Sequence, residues 1–195
     1  MAKVKGPLFS LSASGQIAKT LVFGDWKGID IVRKYVIPAN PNTAAQQTQR
    51  GYFGAAVDEW HTDGFSAIDV AAWNLYALAQ KVAASGFNMC TKLKVDAKVL
   101  AENWVKLVVC LVTLITNAGC TVDISVASDQ TGILYVGTSK TSMFTQFAGV
   151  FDAINFKYTF TVTGLNPLTK YYFYIANTAA SEHARTGIYT FTTIA

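Results

Sequence analysis

The chain has 195 residues, of which 51% are hydrophobic and 14% charged, and its formal net charge is +4. This composition excludes wholesale disorder, because it provides enough apolar surface for a core. It also argues against a nucleic-acid-binding domain, since the basic residues form no stripe and cluster most densely at Lys92, Lys94 and Lys98. The length permits one domain or two small ones, with a sparsely charged surface that suits either water or permanent contact with neighbouring proteins.

The cysteines, Cys90, Cys110 and Cys120, show no zinc-site spacing, and their odd number argues against a disulfide framework. Buried free thiols in a protein made in a reducing cytosol are favoured, with a Cys110–Cys120 bridge left open. The first residues lack the apolar core of a signal peptide. The longest apolar run, 107–115, is too short to span a bilayer. We therefore expect a soluble protein that is not exported by the usual route.

The first predicted element is a β-hairpin within residues 7–37. Two β-rich runs, 15–23 and 28–37, flank the sequence GDWKG, which supplies turn chemistry. Neither face of the second run is purely apolar, since Arg33 shares one face with isoleucines. Because such a ribbon is not stable alone in water, we expect it to pack on helices or on a partner.

After the hairpin, two prolines turn the chain into a helix. Pro38 ends the sheet, and Asn40 caps a helix that begins at Pro41 and continues to about residue 61. We expect Arg50 to point inward or into an interface, because it lies on a stripe that is polar in its first half and apolar in its second. The stripe consists of Gln46, Arg50, Phe53, Val57 and Trp60.

Another face of this helix carries only small residues, including Gly51. Gly51 and Gly54 each cost about 1 kcal/mol relative to alanine in a helix interior. That cost is tolerable where another backbone approaches closely. The alternative is a locally weak helix.

A second helix is predicted over residues 66–85, and it contains Trp73 in a wide apolar arc that indicates a central position. Ser66 and Asp69 match a capping box, and Gly86 fits the stop position. The two helices would form a helical hairpin. Residues 88–105 are ambiguous between a strand and a short helix, and we place a domain boundary near Asn103.

From residue 104 onward the pattern is all-β, with short runs separated by Gly, Asn, Asp and Ser. In the run KYYFYIA, Tyr171, Phe173 and Ile175 alternate with Tyr172 and Tyr174. One set should face the core and the other water or a partner. The strand-like runs are 104–116, 120–128, 132–139, 156–165, 170–178 and 187–193.

The sequence LNPLTKYYFYI (165–175) resembles the fibronectin type III pattern, in which Leu, Pro, Thr and Tyr lead into a long strand. The ending ARTGIYTFTT resembles the last strand of that family. The resemblance implies an immunoglobulin-like sandwich in which Pro167 turns the chain and the hydroxyl of Tyr171 ties the strand back to the corner.

The N-terminal half resembles a group of structural proteins of tailed bacteriophages and prophages. The resemblance covers roughly residues 6–90 and implies a virion component, made in the bacterial host cytoplasm, whose partners are other virion proteins and copies of itself. The matching residues are Gly28, Arg33, Pro38, Asn40, Pro41, Thr43, Gln46, Arg50, Phe53, Trp60, Trp73 and Asn74.

Together these patterns predict an α+β protein. A docking domain of hairpin and helices would span 1–103, and a fibronectin III/immunoglobulin-like sandwich would span 104–195. No catalytic or nucleotide-binding motif occurs, and His61 and His183 belong to no metal-binding array, so we expect no enzyme, cofactor or metal. We expect Glu182 and His183 in a solvated loop.

Two other functions stay open. Tyr172 and Tyr174 would bind cell-surface carbohydrate if they are exposed. Lys92, Lys94, Lys98 and Arg50 would contact nucleic acid.

Overall fold

The structure, a computed structural model, describes residues 2–3, 14–37, 42–81 and 83–195. The chain divides into two compact units, Met1–Thr43 and Ala44–Ala195. The division thus falls between Thr43 and Ala44 and not near Asn103, because helices and C-terminal strands pack together within the second unit.

The first unit contains an antiparallel sheet with the strand order β1-β4-β3-β2. The hairpin of β3 and β4 confirms the predicted one: Lys27 and Gly28 at its turn have φ angles of 54° and 75°, and the Gly28 N–H donates to Asp25 Oδ1 over 2.9 Å. Pro38, Asn40 and Pro41 lie outside the described residues. The strands are β1 (Ala2–Lys3), β2 (Gly15–Ile17), β3 (Leu21–Trp26) and β4 (Ile29–Lys34).

Three helices open the second unit: α1 (Ala44–Thr62), α2 (Ala67–Ala79) and α3 (Gly86–Val99). The predicted second helix ends early, and Gly86 begins α3 instead of ending α2. The Ser85 side chain caps α3, and the Gly86 N–H donates to Asn74 Oδ1 over 2.9 Å. A Cβ at position 86 would lie 2.6 Å from the Asn74 backbone nitrogen. The glycine therefore permits close helix packing and is not a C-terminal stop.

The C-terminal strands form two antiparallel sheets, ordered β5-β6-β10-β9 and β12-β11-β7-β8. Their inner faces share one core, with Val122 and Phe160 from the first sheet and Leu134 and Phe173 from the second. This arrangement is compatible with a β-sandwich, and β8 and β9 are strands that the sequence did not predict. The strands are β5 (Leu107–Thr113), β6 (Gly119–Val126), β7 (Ile133–Gly137), β8 (Thr145–Ala148), β9 (Val150–Asp152), β10 (Lys157–Thr163), β11 (Lys170–Ala176) and β12 (Tyr189–Thr192).

Asp69 joins α2 to both sheets. It completes the predicted capping box, since it accepts from the Ser66 N–H, but it is also completely buried. Its two oxygens accept hydrogen bonds from the Val109 N–H (2.8 Å), the Cys110 N–H (3.3 Å) and the Tyr189 hydroxyl (2.7 Å). A bulge between Val108 and Leu111 leaves the first two donors without ladder partners. Burial raises the pKa of Tyr189 well above its usual value, so the hydroxyl keeps its proton.

The predicted contact at the β11 corner is present, since the Asn166 N–H donates to the Tyr171 hydroxyl over 2.8 Å.

All three cysteines are free and buried, so the Cys110–Cys120 bridge does not form. Burial raises the pKa of Cys90 to about 12 and that of Cys120 to about 11, which makes these thiols unreactive at neutral pH.

We expect Asp69→Ala to lower the free energy of unfolding by about 3 kcal/mol, because the buried Cys110 N–H and Tyr189 hydroxyl would each lose an acceptor at a cost of about 1–3 kcal/mol. Ser66→Ala, which removes the cap side chain but keeps the carboxylate, should cost about 1 kcal/mol. Urea denaturation of both variants measures the difference. Equal losses would show that the carboxylate serves only as a cap.

Candidate interaction surface

The first unit presents apolar side chains to solvent. Trp26 and Ile29 face each other across the end of the β3–β4 hairpin, and they are 59% and 41% exposed. Ile17 and Leu21 are also exposed, whereas Phe23 is buried. Arg33 is exposed on β4. Trp26 and Ile29 therefore form an exposed apolar patch on one face of the sheet at its tip, and Ile17 and Leu21 lie on the opposite face. An aromatic residue in an exposed apolar patch is common at protein-binding surfaces.

The first half of α1 is a second exposed surface. Every residue from 44 to 51 is exposed, Phe53 is 55% exposed, and burial is complete only at Ala56. Trp60 packs in the second half, where its ring centroid lies 4.8 Å from that of Phe65. The change from polar to apolar along the predicted stripe thus marks where packing begins. Arg50 is exposed, which disagrees with the inward alternative, and its position in an interface stays a prediction.

A groove of about 330 Å³ lies between α1 and α3. Phe53 and Phe87 line it, together with Val95. Thr91 also lines it and is only 4% exposed, yet its hydroxyl has no hydrogen-bond partner among the described residues. A buried hydroxyl without a partner is uncommon in proteins.

Lys94 holds α1 against α3. Its ammonium lies 2.6 Å from Asp63 and 3.1 Å from Glu59, with the rings of Phe65 and Trp104 at 5.7 and 5.5 Å. The side chain is 1% exposed. The three-lysine cluster is therefore not a basic surface patch, because its central member is enclosed in ion pairs.

Glu102 connects the segment after α3 to the loop before β12. It accepts from the backbone N–H groups of His183 (3.0 Å) and Ala184 (2.9 Å), and its other oxygen lies 2.7 Å from His183 Nδ1. Burial alone would raise the pKa of Glu102, but these hydrogen bonds bring it below the usual value. The expectation that His183 lies in a solvated loop is wrong, because the ring is half-buried against this carboxylate.

Tyr172 and Tyr174 lie on the face of β11 opposite the core, where both are half-buried. The Tyr174 ring stacks on Tyr135 at 4.7 Å, and the guanidinium of Arg185 lies 3.4 Å from its centroid. Tyr172 packs against the helical cluster around Trp73, which is buried. The rings therefore make contacts within the chain, and neither forms an open platform for stacking a sugar.

Sequence patterns missed the structural roles of Lys94, Glu102 and Arg185. Each contacts residues far away in the chain, so no local spacing indicates the pairing. The only available signal was the low overall charge, which makes a charged residue between apolar ones a candidate for burial.

Among residues 14–37, 42–81 and 83–195, no group of three or more His, Cys, Asp or Glu side chains could hold a metal ion. No helix in the described part of the chain is long and apolar enough to cross a membrane. No protein-family model and no curated protein matches the chain.

We expect Lys94→Ala to lower the free energy of unfolding by about 3 kcal/mol, because it leaves two carboxylates without their shared cation. Lys92→Ala, which changes an exposed residue on the same helix, should stay within about 0.5 kcal/mol. Thermal and urea unfolding of the two variants provide the test. A neutral Lys94→Ala would contradict the structural role of this lysine.

A pH dependence follows from Glu102. Because its pKa is lower in the folded state than its usual value of 4.5, its contribution to stability is present above about pH 4.5 and is lost as the pH falls through the folded-state pKa. We expect Glu102→Gln to be less stable than the wild type at pH 7, with a difference that shrinks below pH 4.5. Urea unfolding at a series of pH values measures it. A pH-independent difference would contradict the role of the charge.

Proposed function

We propose that the protein is a non-enzymatic structural component of a tailed-bacteriophage virion, an accessory or decoration protein of the head, neck or tail. The N-terminal sheet and α1 dock on the particle, and the C-terminal strands are displayed. The observation that carries this proposal is the exposed apolar pair at the tip of the N-terminal sheet, Trp26 and Ile29. Among the described large apolar residues of this sheet, Phe23 alone is buried. A sheet of this kind is stabilised by a partner surface.

The contacts of three charged groups in the second unit support a structural role. Asp69 joins α2 to two strands, Lys94 joins two helices, and Glu102 joins the segment after α3 to the loop before β12. These groups serve packing between elements, whereas catalytic groups face a cleft open to substrate.

The strand order supports an immunoglobulin-like display module. With β5, β6, β10 and β9 as strands A, B, E and D, and β12, β11 and β7 as G, F and C, both sheets follow the constant-type order. β8 then extends the second sheet as C′. The hydroxyl of Tyr171 at the start of F makes the corner contact typical of such domains.

Carbohydrate binding through Tyr172 and Tyr174 is less well supported, because the ring of Tyr174 contacts both Tyr135 and Arg185. Nucleic-acid binding through the lysine cluster is also disfavoured by the enclosed ammonium of Lys94.

The test is incorporation into particles. Virions produced without the protein are incubated with purified wild-type protein, with Trp26→Ser, or with Ile154→Ser, and are examined after sedimentation by negative stain and immunoblot. We expect wild-type protein and Ile154→Ser to bind, because Ile154 is an 89% exposed residue of the β9–β10 turn on the displayed module. Trp26→Ser should bind about tenfold more weakly or worse, as loss of an aromatic anchor predicts.

Failure of the wild-type protein to bind heads, necks or tails would overturn the proposal. Equal binding of all three proteins would retain virion association but refute docking through the N-terminal sheet. Saturable binding to a glycan array that is lost in Tyr174→Ala would favour the adhesion alternative.

A further inference from the structure

The net charge of the chain is confined to its first unit. Residues 1–43 contain six of the 16 Lys and Arg residues but only two of the 12 Asp and Glu residues, so their formal net charge is +4. This equals the net charge of the whole chain. The ten basic and ten acidic residues of 44–195 cancel, and the second unit is neutral overall.

The cations of the first unit have no carboxylate partners. Lys19, Lys27, Arg33 and Lys34 are exposed, and among the described residues no carboxylate forms an ion pair with any of them. Every Asp and Glu of the chain lies within the described ranges, so the remaining residues can supply no side-chain carboxylate. In the second unit, by contrast, Lys94 is enclosed in ion pairs. The first unit therefore presents its positive charge to solvent.

The register of the sheet separates the charges of β3 and β4 onto two faces. Arg33 pairs with Val22, which lies four residues from Trp26 along β3, and an even spacing keeps Arg33 and Trp26 on one face. Asp25 and Asp30, the two acidic residues of the unit, pair with each other on the opposite face. We call the first of these the Trp26 face. On β2, β3 and β4 it consists of Gln16, Val22, Gly24, Trp26, Ile29, Ile31 and Arg33.

The Trp26 face has the size and the chemistry of a small binding surface. Trp26 is 59% exposed, and Arg33 is exposed as well. The rows of Trp26 and Arg33 are separated by four residues along β3, which is about 13 Å in a strand. An apolar anchor and a cation are thus held on one rigid sheet, without an acidic residue between them.

This composition favours a protein as the partner. Trp and Arg are enriched at the energetically important positions of protein interfaces, and charged residues are depleted at interface cores. A nucleic-acid site has a stripe of cations, but β3 and β4 place only Arg33 on the Trp26 face. A second copy of the chain is disfavoured as the partner, because its first unit has the same charge and its second unit is neutral.

We propose that the Trp26 face docks on an acidic protein surface of the particle, with Trp26 as the apolar anchor and Arg33 paired with a carboxylate of the partner. Lys19 and Lys27, in the turns before and after β3, add to the attraction during the encounter. This inference deepens the proposed function, on which it rests, by stating the chemistry of the partner surface.

The first experiment reverses one charge in each unit. Binding to virions produced without the protein is measured for the wild type, Arg33→Glu and Lys140→Glu. Both variants change the net charge equally, and Lys140 is an exposed residue between β7 and β8. We expect Arg33→Glu to bind about tenfold more weakly or worse, and Lys140→Glu to stay within about twofold of the wild type. Circular dichroism checks that both variants are folded.

The second experiment varies the ionic strength. Because salt screens attraction between exposed charges, wild-type binding should weaken by about tenfold or more between about 50 and 300 mM salt. Arg33→Glu should lose much of this dependence. Direct binding to immobilised poly-L-glutamate tests the charge chemistry without the particle, and there the wild type and Lys140→Glu should be retained more strongly than Arg33→Glu.

Two results would overturn the acidic partner: equal binding of Arg33→Glu and Lys140→Glu to particles, or wild-type binding that is insensitive to salt. The protein partner would be overturned by binding to a single-stranded DNA oligonucleotide, or to vesicles that contain phosphatidylserine, that is tighter than binding to particles and is lost in Arg33→Glu.

The outcomes also separate this inference from the proposed function. A wild type and an Arg33→Glu variant that bind particles equally would retain the virion role and overturn the acidic partner. A wild type that binds no particle, but binds poly-L-glutamate through Arg33, would overturn the virion role and retain a face that binds acidic polypeptides.

Discussion

The buried carboxylate of Asp69 is the constraint on which the second unit depends. This one side chain completes the capping box of α2. It also accepts hydrogen bonds from two N–H groups at the bulge of β5 and from the hydroxyl of Tyr189 on β12. β5 and β12 are edge strands of different sheets, and edge strands expose unpaired backbone groups. Asp69 accepts hydrogen bonds from the backbone of β5, and α2 packs on both edge strands, so the sheet edges become the attachment point for the helices.

Lys94, which is buried, and Glu102, which is half-buried, follow the same principle. Each is bonded to partners from distant segments, and such groups stabilise only the arrangement in which all partners are present. These three groups connect elements within the unit, and exposed apolar residues stay available for the assembly that we propose.

The glycines of the second unit differ in their surroundings. Gly86 and Gly187 let two parts of the same chain approach at distances that a Cβ would prevent. Among the described residues, an added Cβ at Gly51 or Gly54 would meet nothing within 4 Å, on a helix whose first half is exposed. The second half of α1 packs against α3, and the exposed first half is the part that we propose docks on a particle.

The sequence by itself determined the local elements. Turn chemistry predicted the β3–β4 hairpin, helical spacing predicted α1, and the position of Tyr171 predicted its corner hydrogen bond, because these depend on residues close together in the chain. Only the tertiary structure decided that Gly86 begins a helix, that Arg50 is exposed and that Lys94 is buried. These outcomes depend on packing between segments tens of residues apart, and local periodicity contains no information about which distant surface will cover a side chain.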